Sequence, residues 1–134
     1  MYKILRFKEL GDDRGNLVVV EGDKDIPFEI KRIFYIFGSD FNVVRGQHAN
    51  RNSEFVFINV AGSSNIKITN GKETKIIKLD KPMDGVYLPK MIWKEMYDFS
   101  KDSVLLVLAS THYDNTEYIR DFNEYLKIMK TYKD

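Results

Sequence analysis

The sequence predicts an all-β barrel with one helix at its C-terminal end. Short segments rich in β-branched and aromatic residues recur along the chain, each bounded by Gly, Asp, Asn or Pro, which is the pattern of a β-sandwich or barrel. Aromatic residues make up 13% of the 134 residues, a high share that suits a barrel lined for a ligand. Only the C-terminal segment carries apolar residues at helical spacing.

The predicted strands are short and closely spaced, so they leave little of the chain for helix. They cover residues 2–8, 16–21, 30–37, 46–49, 55–61, 64–69, 72–79, 86–88, 92–97 and 103–110. Asn70-Gly71 predicts a type I′ hairpin turn, Asp12–Gly15 a second turn and Ile26–Phe28 a rigid corner. The run Val104–Ala109 is continuously apolar, so we expect this strand to be buried on both faces.

We expect the helix to begin at Thr116 or Glu117, with Asn115 or Thr116 as its cap. Its apolar positions recur at helical spacing and are Tyr118, Ile119, Phe122, Tyr125, Leu126 and Met129. Lysines near its end interact favourably with the negative C-terminal pole of the helix dipole. The apolar face of this helix should pack on the outside of the barrel.

Length and composition restrict the class of protein. The chain has the size of one domain, residues 1–134. Lys and Arg number 21 and Asp and Glu 20, mixed along the chain, so we expect neither nucleic acid nor a membrane surface as a partner. The absence of cysteine excludes a disulfide framework, a thiolate metal site and a cysteine nucleophile. The start of the chain lacks an apolar signal region, and we expect a soluble cytoplasmic protein.

The stretch Arg45–Glu54, followed by the apolar run Phe55–Val60, outlines the first motif of a cupin. A metal-binding cupin places two histidines two residues apart, where both reach into the barrel. Here His48 holds the first position, but Asn50 holds the second, and a neutral amide is a poor ligand for a transition metal. We therefore predict a pocket for an organic ligand. His48 is its most reactive group, because a reference pKa of about 6.5 suits a proton acceptor near neutral pH.

The second cupin motif also lacks its histidine. The matching stretch is Gly85–Glu95, and Trp93 or Lys94 stands where that histidine would be. One imidazole with Glu54 or Glu95 does not make a convincing set of metal ligands. We expect neither a metal nor another cofactor.

Tyr35 is a candidate for a second proton-transfer group. Strand alternation places Ile33, Tyr35 and Phe37 on one face and Arg32 and Phe34 on the other. A tyrosine among such neighbours is often a core residue with a hydrogen-bonded hydroxyl. If its face lines the pocket, Tyr35 is instead the best proton shuttle.

Further binding candidates are aromatic or cationic. Trp93, Glu95 and Tyr97 share one face of a strand. If this face lies at the barrel mouth, it would hold a nucleobase or a sugar; the alternative is that it packs in the core. Four arginines are candidates for a clamp on a diphosphate, because a guanidinium offers paired donors to phosphate oxygens. The alternative is that each is an ordinary surface or ion-pair residue; they are Arg14, Arg32, Arg45 and Arg51. We interpret His112, in a loop, as structural.

Between about residues 12 and 125 the chain resembles the nucleotide-sugar 3,4-ketoisomerases of the cupin superfamily. The resemblance rests on several motifs together: Asp12-x-Arg14-Gly15, Asp25–Tyr35, Arg45-Gly46-x-His48-Ala49, Gly85-x-Tyr87, Trp93-x-Glu95-Met96, Leu106–Asp114 and Tyr118–Asp121. It implies a cupin (RmlC-like jelly-roll) barrel that isomerises dTDP-4-keto-6-deoxyglucose to a dTDP-3-keto-6-deoxyhexose without a metal. It also implies a homodimer in which N-terminal strands are exchanged between subunits.

The resemblance assigns roles to residues at matching positions. His48 matches the proposed catalytic base and Tyr35 the pocket tyrosine, whereas Asn50 departs from the usual His-Ala-His pattern. Our hypothesis is that His48 moves the carbon-bound proton, Tyr35 serves the oxygens, and Asn50 and Arg45 stabilise developing negative charge. The other predicted substrate-binding residues are Arg32, Arg51, Trp93, Glu95 and Tyr97.

Three alternatives remain open at this point. A 3,5-epimerase of the same barrel class would need a carboxylate that orients the histidine, for which Glu54 is our guess. A non-catalytic sugar-binding cupin would explain the loss of the second histidine. A metal-dependent oxygenase has little support in the sequence.

Overall fold

The computed structural model describes residues 1–133 and consists mainly of two five-stranded antiparallel sheets. Its elements are β1 (Lys3–Arg6), β2 (Glu9–Asp12), β3 (Gly15–Val18), β4 (Arg32–Phe37), β5 (Arg45–Asn50), β6 (Phe55–Ala61), β7 (Ser64–Thr69), β8 (Thr74–Leu79), β9 (Asp84–Leu88), β10 (Trp93–Tyr97), β11 (Val104–Ala109), a 3₁₀ turn (Asn115–Glu117), β12 (Tyr118–Ile119) and α1 (Phe122–Met129). The first sheet has the order β1-β9-β6-β11-β4 and the second β12-β5-β10-β7-β8. The predicted all-β cupin (jelly-roll) barrel with a C-terminal helix is confirmed.

The main hydrophobic core lies between the two sheets. Alternate residues of strands from both sheets supply it, for example Phe55 and Phe57 of β6 and Ile66 and Ile68 of β7. The intervening residues of the first sheet pack in a second cluster with Phe28. Strand β11 therefore contributes to clusters on both faces, and the prediction from its continuous apolar run is confirmed.

A third cluster lies outside the second sheet, under α1, and this confirms the predicted position of the helix. Its members include Ala49 of β5, Trp93 of β10 and Tyr125 of α1. The Tyr125 hydroxyl donates to the backbone oxygens of Thr69 and Met91, at 3.0 and 2.8 Å. These bonds fix the helix to the sheet. No helix within residues 1–133 is long and apolar enough to cross a membrane.

The predicted start of the helix is wrong. Residues 115–117 form a 3₁₀ turn, Tyr118–Ile119 pair with β5 as a short strand, and α1 begins only at Phe122. The N-cap is Asp121, whose carboxylate accepts from the backbone N of Glu124 at 2.9 Å. Two apolar residues in succession fit a helical period by coincidence, whereas as strand residues they face opposite sides of the sheet.

Two other details differ from the prediction. Thr69 pairs with Thr74, so the Asn70-Gly71 hairpin has a four-residue loop and not a two-residue type I′ turn. The Asn70 side chain accepts from the backbone N of Lys72 and thereby closes the loop, with Gly71 at φ 91°. Strand β2 was not predicted, because its four residues are exposed and lack an apolar pattern. The predicted turn at residues 12–15 is confirmed.

Candidate active site

A β-bulge in β5 sets the direction of His48. Glu95 of β10 pairs with Gly46 and Lys94 pairs with His48, so Gln47 is an extra residue on β5. Gly46 and Gln47 both have positive φ, 87° and 57°. A Cβ at Gly46 would lie 2.9 Å from the backbone oxygen of Lys94, which makes glycine the residue that fits here. The bulge leaves Gln47 exposed and places His48 opposite Lys94, on the inner face of the sheet.

His48 is held as a neutral base. Its Nδ1 lies 3.0 Å from the backbone oxygen of Gly46. Because a carbonyl can only accept, Nδ1 carries the proton and Nε2 keeps its lone pair. Burial lowers the pKa of His48 to about 4, and the nearby charge of Lys94 acts in the same direction. The imidazole is therefore unprotonated near neutral pH, and its Nε2 is able to accept a proton.

Asn50 and Lys94 form a buried pair beside His48. The two residues are 1% and 2% exposed, and Lys94 Nζ donates to Asn50 Oδ1 at 3.0 Å. The ammonium also lies 4.7 Å from the centre of the Phe55 ring, a cation–π contact. Burial lowers the pKa of Lys94 to about 7, although the carboxylate of Glu117 opposes this shift. Asn50 Nδ2 is buried and has no hydrogen-bond partner within residues 1–133.

Arg32 brings further unpaired donors from the first sheet. It pairs in register with Ala109, whose side chain lies in the core between the sheets, so Arg32 is on the inner face of β4. Its Nε and Nη2 are buried without a partner in the described part of the chain. Its guanidinium lies 5.5 Å from the ring centre of Phe34 and 5.6 Å from that of Tyr113.

Side-chain contacts connect these residues into a chain, whose two ends, His48 and the Lys94–Asn50 pair, lie on the paired strands β5 and β10. His48 packs edge-on against Tyr118 at 4.8 Å between ring centres, and Tyr118 lies 5.9 Å from Tyr113, which contacts Arg32. On the other side Phe34 contacts Phe55 at 6.4 Å. Together with the Phe55–Lys94 and Lys94–Asn50 contacts, these pairs surround one end of the barrel interior. We define this end of the barrel as the His48 site.

Glu117 holds the chain around this site. It is buried, and its carboxylate accepts from the backbone N of Asn52 and of Ser53, at 2.8 and 2.9 Å, and from the Ser53 hydroxyl. These bonds tie the turn after β5 to the residue before Tyr118, and so they fix two walls of the His48 site relative to each other. Sequence reasoning placed Glu117 in the helix and missed this role.

The structure does not bring Tyr35 to His48. Tyr35 lies on the outer face of β4, opposite to Arg32, with 60% of its surface exposed, and it stacks on Phe37 at 6.0 Å. The prediction that Tyr35 lines the pocket is therefore wrong for a single chain. The register with β11 gives the reason, because the inner face of β4 is the one that carries Arg32 and Phe34.

The aromatic face of β10 also lies outside the barrel. Trp93 packs against Phe122 and Tyr125 of the helix region, at 5.1 and 5.5 Å, and donates to Glu95 at 3.2 Å. Trp93 and Glu95 line a separate cavity of about 470 Å³ on this outer face, and Tyr97 shares their parity on the strand. Of the two alternatives, these residues therefore do not line the barrel interior, whose β10 side carries Lys94, and their predicted role in substrate binding stays a prediction.

The remaining predicted residues do not reach the His48 site. Arg45 and Arg51 are exposed, Arg14 is exposed and ion-paired with Asp12, and His112 is exposed in its loop. Glu54 accepts from the Tyr87 hydroxyl at 2.5 Å, so the predicted carboxylate partner of His48 is replaced by the backbone oxygen of Gly46. Within residues 1–133, no three His, Cys, Asp or Glu side chains come together as metal ligands would.

The fold and the His48 site define the class of protein: a cupin barrel with an acid–base site at one end. The chain belongs to the FdtA family, described as WxcM-like, C-terminal, whose model matches residues 1–130.

Individual relatives agree with this family. The chain is 42% identical over 127 residues to the TDP-4-oxo-6-deoxy-alpha-D-glucose-3,4-oxoisomerase of Aneurinibacillus thermoaerophilus, covering 95% of this chain and 91% of the relative. A 3,4-ketoisomerase from Helicobacter canadensis has a TM-score of 0.94 at 44% identity, covering 96% of this chain and 97% of its own. A His-to-Asn variant of the 3,4-ketoisomerase QdtA from Thermoanaerobacterium thermosaccharolyticum, in complex with TDP-4-keto-6-deoxyglucose, has a TM-score of 0.94 at 40% identity, covering 96% and 94%.

Proposed function

We infer that the protein is a 3,4-ketoisomerase that converts dTDP-4-keto-6-deoxyglucose to a dTDP-3-keto-6-deoxyhexose. The observation that carries this inference is the unprotonated Nε2 of His48 in a barrel end where Arg32 and Asn50 keep buried donors without a partner. Support comes from a relative of 42% identity whose name states this activity and from the family match over residues 1–130. A structural relative in complex with TDP-4-keto-6-deoxyglucose supports the ligand.

The reaction moves a ketone from C4 to C3 of the hexose. We propose that His48 Nε2 removes the proton from C3, which gives an enediolate with its charge on O4. The hydroxyl proton of O3 then passes to O4, and the imidazolium returns a proton to C4, so that O3 becomes the new ketone. The negative charge of the enediolate lies on oxygen, where Arg32 and Asn50 supply hydrogen bonds from donors that are unpaired in the free protein. Tyr35 has no part in this scheme, because its hydroxyl is on the outer face of the sheet.

The base is tested with His48→Asn, which keeps a donor near the Gly46 oxygen but removes the proton acceptor. Wild-type protein should convert dTDP-4-keto-6-deoxyglucose, and a coupled 3-aminotransferase should then give a 3-amino sugar identified by NMR. The variant should lose at least about 100-fold in turnover, the lower end of what general base catalysis contributes. His112→Asn is the matched control, because His112 is exposed in a loop away from the site, and it should keep full activity.

Product and isotope analysis separate the alternatives. An epimerase would leave the ketone at C4, which proton NMR of the product distinguishes. A non-catalytic binder would introduce no solvent deuterium into the sugar. Full activity of His48→Asn would remove the imidazole from the reaction.

We also propose that the protein is a homodimer in which the N-terminal strands are exchanged. The hairpin β2–β3 pairs with no other strand within residues 1–133, and it exposes Leu10 and Leu17. The edge strand β4 exposes Ile33, Tyr35 and Phe37 on its outer face. Exposed apolar surface of this kind supports a subunit contact. Light scattering should give the mass of a dimer for wild type and of a monomer for Phe37→Glu; a monomeric wild type would contradict the proposal.

A further inference from the structure

Lys94 has no role in the reaction scheme above, yet it is a fully buried lysine beside the proposed base. We propose, on the basis of the proposed function, that Lys94 is a positioning residue that orients the Asn50 side-chain amide so that Asn50 Nδ2 donates to the enediolate oxygen. Asn50 is then the group that touches the substrate, and Lys94 acts through it. This assigns a function to the departure of position 50 from histidine.

The geometry of the amide carries the proposal. Lys94 Nζ lies 3.0 Å from Asn50 Oδ1, and an ammonium is only a donor, so the oxygen end of the amide must face Lys94. The amide is planar, and its NH₂ end therefore points away from Lys94. That end, Nδ2, is buried and has no partner within residues 1–133. A buried donor without a partner is uncommon and is best explained by a ligand that accepts its hydrogen bond.

The opposite orientation of the amide would harm the reaction. It would place the NH₂ group against the ammonium, donor against donor, and would turn Oδ1 towards the sugar. A carbonyl oxygen there would repel the negative charge of an enediolate and could not donate a hydrogen bond to it. By excluding this orientation, Lys94 makes an asparagine a permanent donor, whereas a histidine at position 50 would change between donor and acceptor with its tautomer.

The surroundings of Lys94 keep it in place. The Phe55 ring lies below the ammonium, and Glu117 is the carboxylate that favours its charge. The other cationic or titratable groups around the site are His48, Arg32, Arg120, Tyr113 and Tyr118. Burial brings the pKa of Lys94 to about 7, so the ammonium is present below that pH. Above it, a neutral amine accepts as well as donates, and the amide loses its fixed orientation.

A double-mutant cycle tests whether Lys94 acts through Asn50. Lys94→Met should lower kcat about tenfold and Asn50→Ala about 100-fold, as expected for loss of an oxyanion donor. The kcat of the double variant should lie within about threefold of that of Asn50→Ala, because Lys94 has nothing to orient once the amide is removed. The affinity for TDP, measured by calorimetry, should change less than twofold in each variant. Multiplicative losses, or an unchanged kcat in Lys94→Met, would overturn the proposal.

A second variant decides the matter if Lys94→Met does not fold. Asn50→Asp keeps the contact to Lys94, as an ion pair, but replaces the NH₂ donor with an acceptor. It should fold and should lose at least as much kcat as Asn50→Ala. Wild-type turnover in Asn50→Asp would show that the NH₂ group is not used.

The kinetic pH profile provides a readout that a merely structural lysine would not move. Wild-type kcat should decline above about pH 7, the pKa of Lys94, and Lys94→Met should lack this decline. An identical decline in both proteins would contradict the proposal. If wild type does not turn over the dTDP-keto sugar at all, the proposed function fails. The contact between Lys94 and Asn50 is then tested by the ¹⁵N resonance of the Asn50 side-chain amide, which Lys94→Met should shift. An unshifted resonance would refute the contact.

Discussion

Replacing Lys94 with methionine should stabilise the fold while it impairs activity. In the folded protein burial lowers the pKa of Lys94 from 10.5 to about 7. Between these two pH values the unfolded lysine binds a proton that the folded lysine does not, so the stability of wild type rises with pH across this window. Methionine has a similar length, does not titrate and suits a buried site.

The pKa difference sets the size of the effect. Well below pH 7 the folded protein keeps Lys94 charged in a buried site, which costs roughly 5 kcal/mol. At pH 9 the folded lysine is neutral, and the remaining cost of roughly 2 kcal/mol is that of giving up a proton that the unfolded lysine still binds. Methionine removes this cost but leaves Asn50 Oδ1 without its donor, which costs about 1–3 kcal/mol at either pH. Lys94→Met should therefore be more stable than wild type by about 2–4 kcal/mol at pH 6 and nearly equal to it at pH 9.

Urea denaturation at pH 6 and pH 9, at one protein concentration and followed by far-UV circular dichroism, measures both differences. Lys75→Met is the matched control, because Lys75 is exposed on β8 and its replacement should show no such pH dependence. A gap between wild type and Lys94→Met that is equal at both pH values would refute the reasoning, and so would a wild type that is the more stable protein at pH 6.

Three further predictions follow from the other groups of the site. The acid limb of kcat/KM should fall near pH 4, the pKa of buried His48, and a limb near 6.5 would show an exposed imidazole. Tyr35→Phe should keep wild-type kcat, because the hydroxyl lies outside the barrel; a loss above tenfold would return Tyr35 to the mechanism. Glu117→Gln should destabilise the protein by roughly 2 kcal/mol in urea, because the amide accepts less strongly from Ser53 and puts a donor beside it, and an unchanged midpoint would contradict this role.

The sequence predicted the strands that build the site better than the faces of those strands. Alternation correctly separated Arg32 from Tyr35 in β4, but it does not say which set points inward, and both sets contain aromatic residues. In β10 the aromatic set with Trp93 looked like the lining of a pocket. It lies outside because α1 covers it, and the inner face is left to Lys94 and Met96.

Local backbone detail could not be predicted from one sequence. The bulge at Gln47 shifts the pairing of β5 with β10, and the pattern of apolar residues gives no sign of it. Gly46 was the available signal, since a glycine with positive φ often accompanies a bulge. The hydrogen bonds of Glu117 join residues 64 or more positions apart, and no local motif announces such a contact.

The buried polar groups of the His48 site are arranged at the expense of stability. Arg32 and Asn50 keep donors unpaired, and Lys94 keeps a charge that burial opposes. An apolar side chain at any of these positions would remove the corresponding cost to stability, as we predict for Lys94→Met. Arg32, Asn50 Nδ2 and Lys94 are donors or cations, and they lie in the same barrel end as the lone pair of His48 Nε2. A site with one base among donors stabilises a substrate that loses a proton from carbon and gains negative charge on oxygen, which is the requirement of an enediolate.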